Sequence, residues 1–273
     1  MRTANTLREW CSNGVGSAYP DPMSGGGAVR TKLPPSGSLR RSAALFRAFR
    51  TEQTDPERFY GLLAADSARQ VNEFADLAGR TVLDVGGGPG YFGDAFRSYG
   101  ATYFAVDSDL GELSARAAPG PGTVLGSALA LPVRAGSVDV CFSSNVLEHV
   151  AAPEAMAAEM VRVTRPGGTV LLSFTTWLSP WGGHETSPWH YLGGHRAARR
   201  YERRTGRPPK NQFGDSLFAL SAGRMLRWAK QRPDTETIAV LPRYHPRWAR
   251  WLVAVPGLRE VAVWNLLVVL RKR

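Results

Sequence analysis

Four glycines within five residues, set directly behind an apolar strand, constrain this chain more than any other feature. Residues 81–85 read as a short buried strand with an acid, Asp84, near its end, and Gly86, Gly87, Gly88, Pro89 and Gly90 follow without a spacer. Glycines there let the backbone turn sharply and approach a ligand closely. Residues 91–99 have helical spacing, so their first amides point back at whatever the loop holds. The pattern predicts an α/β sheet with a nucleotide-like ligand at the end of its first strand.

Two ligands fit such a loop. Gly88-Pro89-Gly90-Tyr91-Phe92-Gly93 has the G-x-G-x-x-G spacing of a dinucleotide turn, and Asp107 follows about 20 residues on. Against that, Gly86 and Gly87 are surplus, and the Asp84 carboxylate suits an ammonium group but repels a pyrophosphate. The other spacing, Asp84-x-Gly86-x-Gly88-x-Gly90, resembles the first motif of class I S-adenosylmethionine (SAM) dependent methyltransferases.

Downstream residues decide between them. Residues 101–106 form a second apolar strand ending in Asp107, where a carboxylate can accept bonds from both hydroxyls of a ribose. The capping role for the next segment fits Asp109 better. Then come Gly126-Ser127-Ala128-Leu129-Ala130-Leu131-Pro132, the run from Gly136 through Asp139 and Asn145 to Val146-Leu147-Glu148-His149, and Arg165-Pro166-Gly167-Gly168. Four motifs in this order closely resemble the methyltransferase type 11 domain, and a nicotinamide enzyme has no need of the last three.

The resemblance implies a doubly wound, seven-stranded, mostly parallel α/β sheet with N-terminal helices and an insertion after the fifth strand. It implies SAM as cofactor, with Asp84 and the backbone of Gly86, Gly88 and Gly90 at its amino-acid end. Asp107, with Ser108 beside it, would take the ribose; Ser127, Ala128 and Leu129 would border the adenine; and Asn145 would lie near the transferred methyl. The family usually has Asp where Ser127 stands, which puts the strength of adenine binding in doubt by about 1 kcal/mol. From about residue 39 onward the chain is also similar to a group of uncharacterised actinobacterial methyltransferases. They share the glycine loop, Gly182-Gly183-His184-Glu185, His190-Tyr191-Leu192-Gly193-Gly194 and the segment from Pro242 to Ala249.

The 273 residues fit one domain over 39–273, with its core at 79–175. Residues 1–38, rich in Gly, Ser and Pro, read as a disordered tail or as the product of a start ahead of Met23. Helices are expected at 39–53, with Leu39, Leu45, Phe46 and Phe49 on one side, and at 55–78, capped by Asp55 and Pro56. Together they would cover the cofactor site, with Phe59 and Tyr60 in the core. Further helices are expected at 154–164 and 221–230, and strands at 169–174, 237–242 and 265–270. Cys11 and Cys141 are not expected to pair, which places the protein in a reducing, cytoplasmic setting.

Residues 176–216 form the insertion, at the ligand-binding edge of such a sheet. An oxygen or nitrogen acceptor must lose a proton, and His149, His184, Glu185 and His190 are the candidates to take it. For His149 a structural bond to neighbouring backbone is the competing role. The Gly-Gly pairs at 182–183 and 193–194 read as a loop that moves or closely approaches ligand. The His and Glu spacing matches no standard metal site, and methyl transfer from SAM requires none, so no metal is expected.

Charge separates the chain into two parts. Residues 190–273 hold 18 Lys and Arg against 5 Asp and Glu, whereas residues 1–189 hold 16 against 18. Such a basic third suits an anionic lipid, a phosphorylated substrate, nucleic acid or general solubility. Within it, 244–263 places Trp248 and Trp251 among Arg247, Arg250 and Arg259; this is either an interfacial segment on the inner face of a membrane or packing against the sheet. Expected acceptors are a lipid or envelope glycan, or a small metabolite. Nucleic acid ranks last because no recognised module is present. The alternative function is a SAM-binding regulatory or scaffold protein without turnover.

Overall fold

The computed structural model describes residues 34–52, 54–116 and 118–273; the expectations for residues 1–33, including Cys11 and Met23, lie outside these. Seven strands build one sheet: β1 (Thr81–Val85), β2 (Thr102–Asp107), β3 (Thr123–Leu125), β4 (Val138–Ser144), β5 (Thr164–Thr175), β6 (Thr235–Pro242) and β7 (Asn265–Lys272). Their order is β3-β2-β1-β4-β5-β7-β6. Neighbours pair in parallel from β3 through β5, and β7 runs antiparallel to both β5 and β6. This is the doubly wound, mostly parallel sheet expected from the sequence.

Alternation along the strands divides the core between two faces. Leu83, Val85, Cys141, Val170 and Val268 pack with Met156 and Met160 of the helix Pro153–Val163 and Met225 of the helix Ala222–Gln231. Val82, Ala105, Val140 and Phe142 pack with Leu63 and Val71 of the helix Pro56–Phe74 and Phe92 and Phe96 of the helix Tyr91–Arg97. In chain order these are α5, α7, α2 and α3; α1 is Leu39–Phe49, α4 Leu110–Ser114, α6 Gly194–Thr205 and α8 Leu258–Val261.

Several element ends fall inside or outside the expected limits, each for a local reason. Asp55 caps α2 by accepting from the Arg58 amide at 3.2 Å, but the helix stops at Phe74 because Ala75 is extended and the Asn72 side chain accepts from the Leu77 amide at 3.1 Å. α1 stops at Phe49, where turns begin with Thr51 bonding back to Ala48. Leu39 is exposed, and Arg41 occupies the buried face instead, paired with Asp66. β5 starts at Thr164 and absorbs Arg165-Pro166-Gly167-Gly168 as a bulge, the register jumping from Val138↔Thr164 to Val140↔Thr169.

The folded chain is already anchored ahead of residue 39. The Pro34 carbonyl accepts from Arg69 at 2.6 Å, and the Gly37 carbonyl accepts from the Arg247 amide at 2.7 Å. The segment around Trp248 forms a 3-10 helix, Arg247–Ala254, with Trp248 69 % and Trp251 54 % exposed. Neither ring is buried against the sheet, which goes against one of the two sequence readings. Among the described residues no helix is long and apolar enough to cross a membrane.

Candidate active site

Strand order reverses between β1 and β4, and the loops leaving these two strands face one another there, where open α/β sheets bind ligands. A Cβ on Gly86 would sit 2.3 Å from the Val146 side chain, so only glycine lets the β1 loop pass the β4 loop. Gly88 and Gly90 have φ of 48° and 80° and open space where a side chain would be. A Cβ on Gly87 would lie 2.8 Å from that of Ala105, so Gly86 and Gly87 serve packing, and Gly88 and Gly90 leave room for a ligand. Gly88, Pro89 and Gly90 also border a cleft of about 340 Å³ whose other wall includes Leu113, Arg116 and Pro119.

Both aspartates belong to this region. Asp107 accepts from the Gly88 amide at 3.0 Å through one oxygen and from the Asp109 amide at 3.0 Å through the other. Asp109 caps α4, as expected. Asp84 is 1 % exposed and accepts from the Tyr103 hydroxyl at 2.7 Å. Burial pushes its carboxyl up to about 7; the Tyr103 bond and the Arg243 charge oppose this, while Asp107 adds to it. A buried acid held near neutrality is one that a cationic ligand can ionise. The ammonium end of SAM fits that role; a pyrophosphate does not.

The remaining cofactor candidates line the same edge. Ser108 follows Asp107 on the surface. Ser127 is exposed, and its hydroxyl accepts from the Leu129 amide at 3.1 Å, closing a turn that presents Ala128 and Leu129. Asn145 is held at φ 57°, a left-handed conformation rare outside glycine. Its side-chain Oδ1 accepts from Asn265 Nδ2 at 2.6 Å, and its Nδ2 donates to the Tyr244 hydroxyl at 3.4 Å.

The insertion brings only some of its predicted residues together. His149 and His184 stand 5.0 Å apart, ring to ring, beside Glu148. His149 does not bond neighbouring backbone as its structural role would have it: its Nδ1 lies 2.7 Å from the carbonyl of Ser216, 67 residues away. Burial lowers the pKa of His184, which is held at φ 49°. Glu185 accepts from Asn211 at 3.0 Å. His190 is buried, with Nε2 3.2 Å from the Ser179 carbonyl and Nδ1 3.4 Å from the Ser187 hydroxyl, so both its nitrogens serve the insertion itself.

The paired glycines correct one expectation. A Cβ on Gly182 would lie 1.9 Å from the Trp177 carbonyl oxygen, and one on Gly183 would lie 2.5 Å from His190. On Gly194 it would lie 2.1 Å from Phe213. At Gly182, Gly183 and Gly194 the close approaches that demand glycine are to the protein's own chain, whereas Gly193, at φ 103°, has open space beside it.

Four residues at the site were not singled out from the sequence. Tyr103 holds Asp84, Tyr244 and Asn265 hold Asn145, and Glu148 is 1 % exposed. Asn265 had a readable signal: it opens the closing strand, and an antiparallel strand begins at the edge where parallel ones end. Glu148 Oε2, Trp181 Nε1, His184 Nε2, Glu185 Oε2, His245 Nδ1 and Asn265 Oδ1 are all buried without a hydrogen-bond partner. These six lie in, or just after, connections at the carboxyl edge; Arg69 Nε, Thr235 Oγ1, Arg243 Nε and Arg259 Nε are the other such atoms among the described residues. Buried polar groups are normally satisfied, so each of these calls for a partner, whether water, ion or ligand.

Fold and site together define a class I SAM-dependent methyltransferase, and comparison with known proteins agrees. The methyltransferase domain family matches residues 83–172. A protein described as an uncharacterised methyltransferase from Mycobacterium marinum is 53 % identical over 257 residues, covering 90 % of this chain and 100 % of its own. One from Mycobacteroides abscessus is 52 % identical, covering 86 % and 95 %. The chain therefore belongs to this methyltransferase family, and SAM is its cofactor. In fold it is similar to a SAM-dependent methyltransferase from Mesorhizobium loti (TM-score 0.54, 20 % identity, 76 % of this chain and 98 % of that one). The geranyl diphosphate C-methyltransferase of Streptomyces coelicolor, solved with Mg2+, geranyl diphosphate and S-adenosylhomocysteine, gives 0.52 at 14 % identity, covering 89 % of each chain.

Proposed function

We propose that this enzyme methylates an oxygen of a lipid-type acceptor that it meets at an anionic membrane surface. One observation carries the reading: the exposed Trp248 and Trp251 belong to a segment that leads directly out of the site. Its first residue, Tyr244, reaches Asn145, and its 3-10 helix begins three residues later at Arg247. Indole rings flanked by Arg247 and Arg250 suit the boundary between headgroups and acyl chains. The basic surplus of residues 190–273 supplies the attraction to anionic lipid.

Oxygen is the acceptor atom that suits the Glu148, His149 and His184 cluster, where a hydroxyl finds partners and can give up its proton. SAM, when bound, supplies a methyl whose C–S electron pair stays on sulfur as the acceptor oxygen bonds the carbon. The chain's own part is alignment and exclusion of water. Phe46, Phe49, Trp181 and Trp264, with ring centroids 5.2–6.3 Å apart, give the insertion an apolar wall against α1 that suits a hydrocarbon acceptor.

The test has two parts. Wild type is expected to sediment with phosphatidylglycerol vesicles, and Trp248→Ala/Trp251→Ala to stay in the supernatant. Methyl-labelled SAM is expected to label a lipid extract rather than a water-soluble metabolite extract. Absence of vesicle binding by wild type, or label confined to the soluble extract, overturns the reading.

A further inference from the structure

We propose that Glu148, His149 and His184 form a binding site for a divalent transition-metal cation. One ligand atom from each lies within 4.8 Å of the others. Glu148 follows β4 in the 3-10 helix Leu147–His149, and His184 opens the 3-10 helix His184–Thr186 of the insertion, so two segments 35 residues apart supply the set.

Each side chain is prepared in a different way. Glu148 is 1 % exposed; its Oε1 accepts from the Thr175 amide at 3.0 Å, and its Oε2 is buried with no partner. A carboxylate oxygen in that state is costly unless a cation or donor meets it. His149 gives its Nδ1 proton to the Ser216 carbonyl at 2.7 Å, which fixes the tautomer and leaves the lone pair on Nε2. Metal-bound histidines are oriented by such a bond on the other nitrogen. His184 Nε2 is also buried without a partner. Its backbone is held at φ 49°, a conformation that persists only where the surroundings enforce it and that clusters at functional sites.

The donor set selects the cation. Two imidazoles and one carboxylate suit Zn2+, Mn2+, Fe2+ or Co2+, whereas Ca2+ and Mg2+ prefer oxygen alone. Bonds of about 2.0–2.2 Å place ligand atoms roughly 3.0–3.5 Å apart, so the three side chains close in by up to roughly 1.8 Å on loading. Three protein ligands leave a coordination position open, as catalytic metal sites do. For the consequence that follows, the inference rests on the oxygen-acceptor reading. The open position would take the acceptor hydroxyl and lower its pKa, so that its proton passes to bulk solvent as the acceptor enters, before water is excluded. The oxygen pair then forms the O–C bond, and the C–S pair remains on sulfur.

Full-length protein, stripped with a chelator and dialysed, is titrated with Co2+ by visible absorption and with Zn2+ by calorimetry. One equivalent is expected to bind, with the Co2+ band of a nitrogen-ligated site. His184→Ala and Glu148→Gln are expected to bind at least about tenfold more weakly. His195→Ala, an exposed histidine outside the cluster, is expected to bind like wild type. SAM affinity, measured on every variant, reports that the fold is intact. Absence of Co2+ and Zn2+ binding by wild type overturns the proposal, as does unchanged binding by a folded His184→Ala. Metal binding with label only in soluble products refutes the membrane reading alone. Lipid methylation that survives complete chelation refutes the metal's part in proton release and leaves the membrane reading standing.

Discussion

The Gly88 amide donates to the Asp107 carboxylate at 3.0 Å, so the glycine loop and the end of β2 are held as one unit. An ionised carboxylate has about four acceptor positions, and Asp107 uses two of them on backbone amides. Two remain for ribose hydroxyls, at about 1.5–3 kcal/mol for each charge-assisted bond. Asp107→Ala is therefore expected to weaken SAM binding by more than tenfold in calorimetry, with Asp107→Asn intermediate.

Asp84 sets a pH dependence. Unliganded, its carboxyl is pushed up to about 7 by burial, with the Tyr103 hydroxyl, Arg243 and Asp107 around it. The folded state thus holds a proton that the unfolded chain releases near the ordinary value, 3.8. Stability contributed by Asp84 falls as pH rises from that value to about 7 and is fully lost above it. The SAM ammonium favours the ionised form, so SAM affinity is expected to increase from about pH 6 to 7.5 and to fall at higher pH as the SAM amine loses its own proton. Asp84→Asn should flatten the rise; an unchanged slope in that variant would assign the titration to another group.

Arg41 and Asp66 form a buried pair under α1. Arg41 donates from Nε at 2.7 Å and from Nη2 at 2.5 Å, Asp66 is 0 % exposed, and Arg41 also donates to the Arg243 carbonyl at 2.9 Å. Asp66→Ala leaves a buried guanidinium without its counter-charge, an effect of about 3–5 kcal/mol. A loss of that size in urea unfolding is the expected result.

Gly182→Ala places a methyl 1.9 Å from the Trp177 carbonyl oxygen, a backbone clash that no rotamer relieves. The insertion is expected to be disturbed while the glycine loop is spared. Calorimetry should show SAM affinity within about twofold of wild type, with methyl transfer to the acceptor falling at least about tenfold.

The sheet and the cofactor loop were legible because their signals are local. An apolar strand, glycines at fixed offsets and Asp107 need no distant partner to be recognised. Helix starts were legible for the same reason, through Asp55, Pro56 and Ser221. Helix ends were less so: α2 stops where the Asn72 side chain bonds the Leu77 amide, and no composition rule announces that. The site beyond the loop depends on contacts over long separations. His149 meets Ser216, and Asn145 meets Tyr244 and Asn265, only after β4, β6 and β7 are assembled. The approach of His184 to Glu148 is likewise invisible in a spacing that resembles no metal motif.

A crystal structure with S-adenosylhomocysteine bound tests the assignment of the cofactor to the β1 loop and Asp107 most directly. Ribose hydroxyls are expected within hydrogen-bond distance of Asp107, the backbone of Gly88 and Gly90 against the ligand, and its amino end directed toward Asp84. A ligand bound elsewhere, or a crevice in which Asp84 and Asp107 both face away from it, would contradict the account.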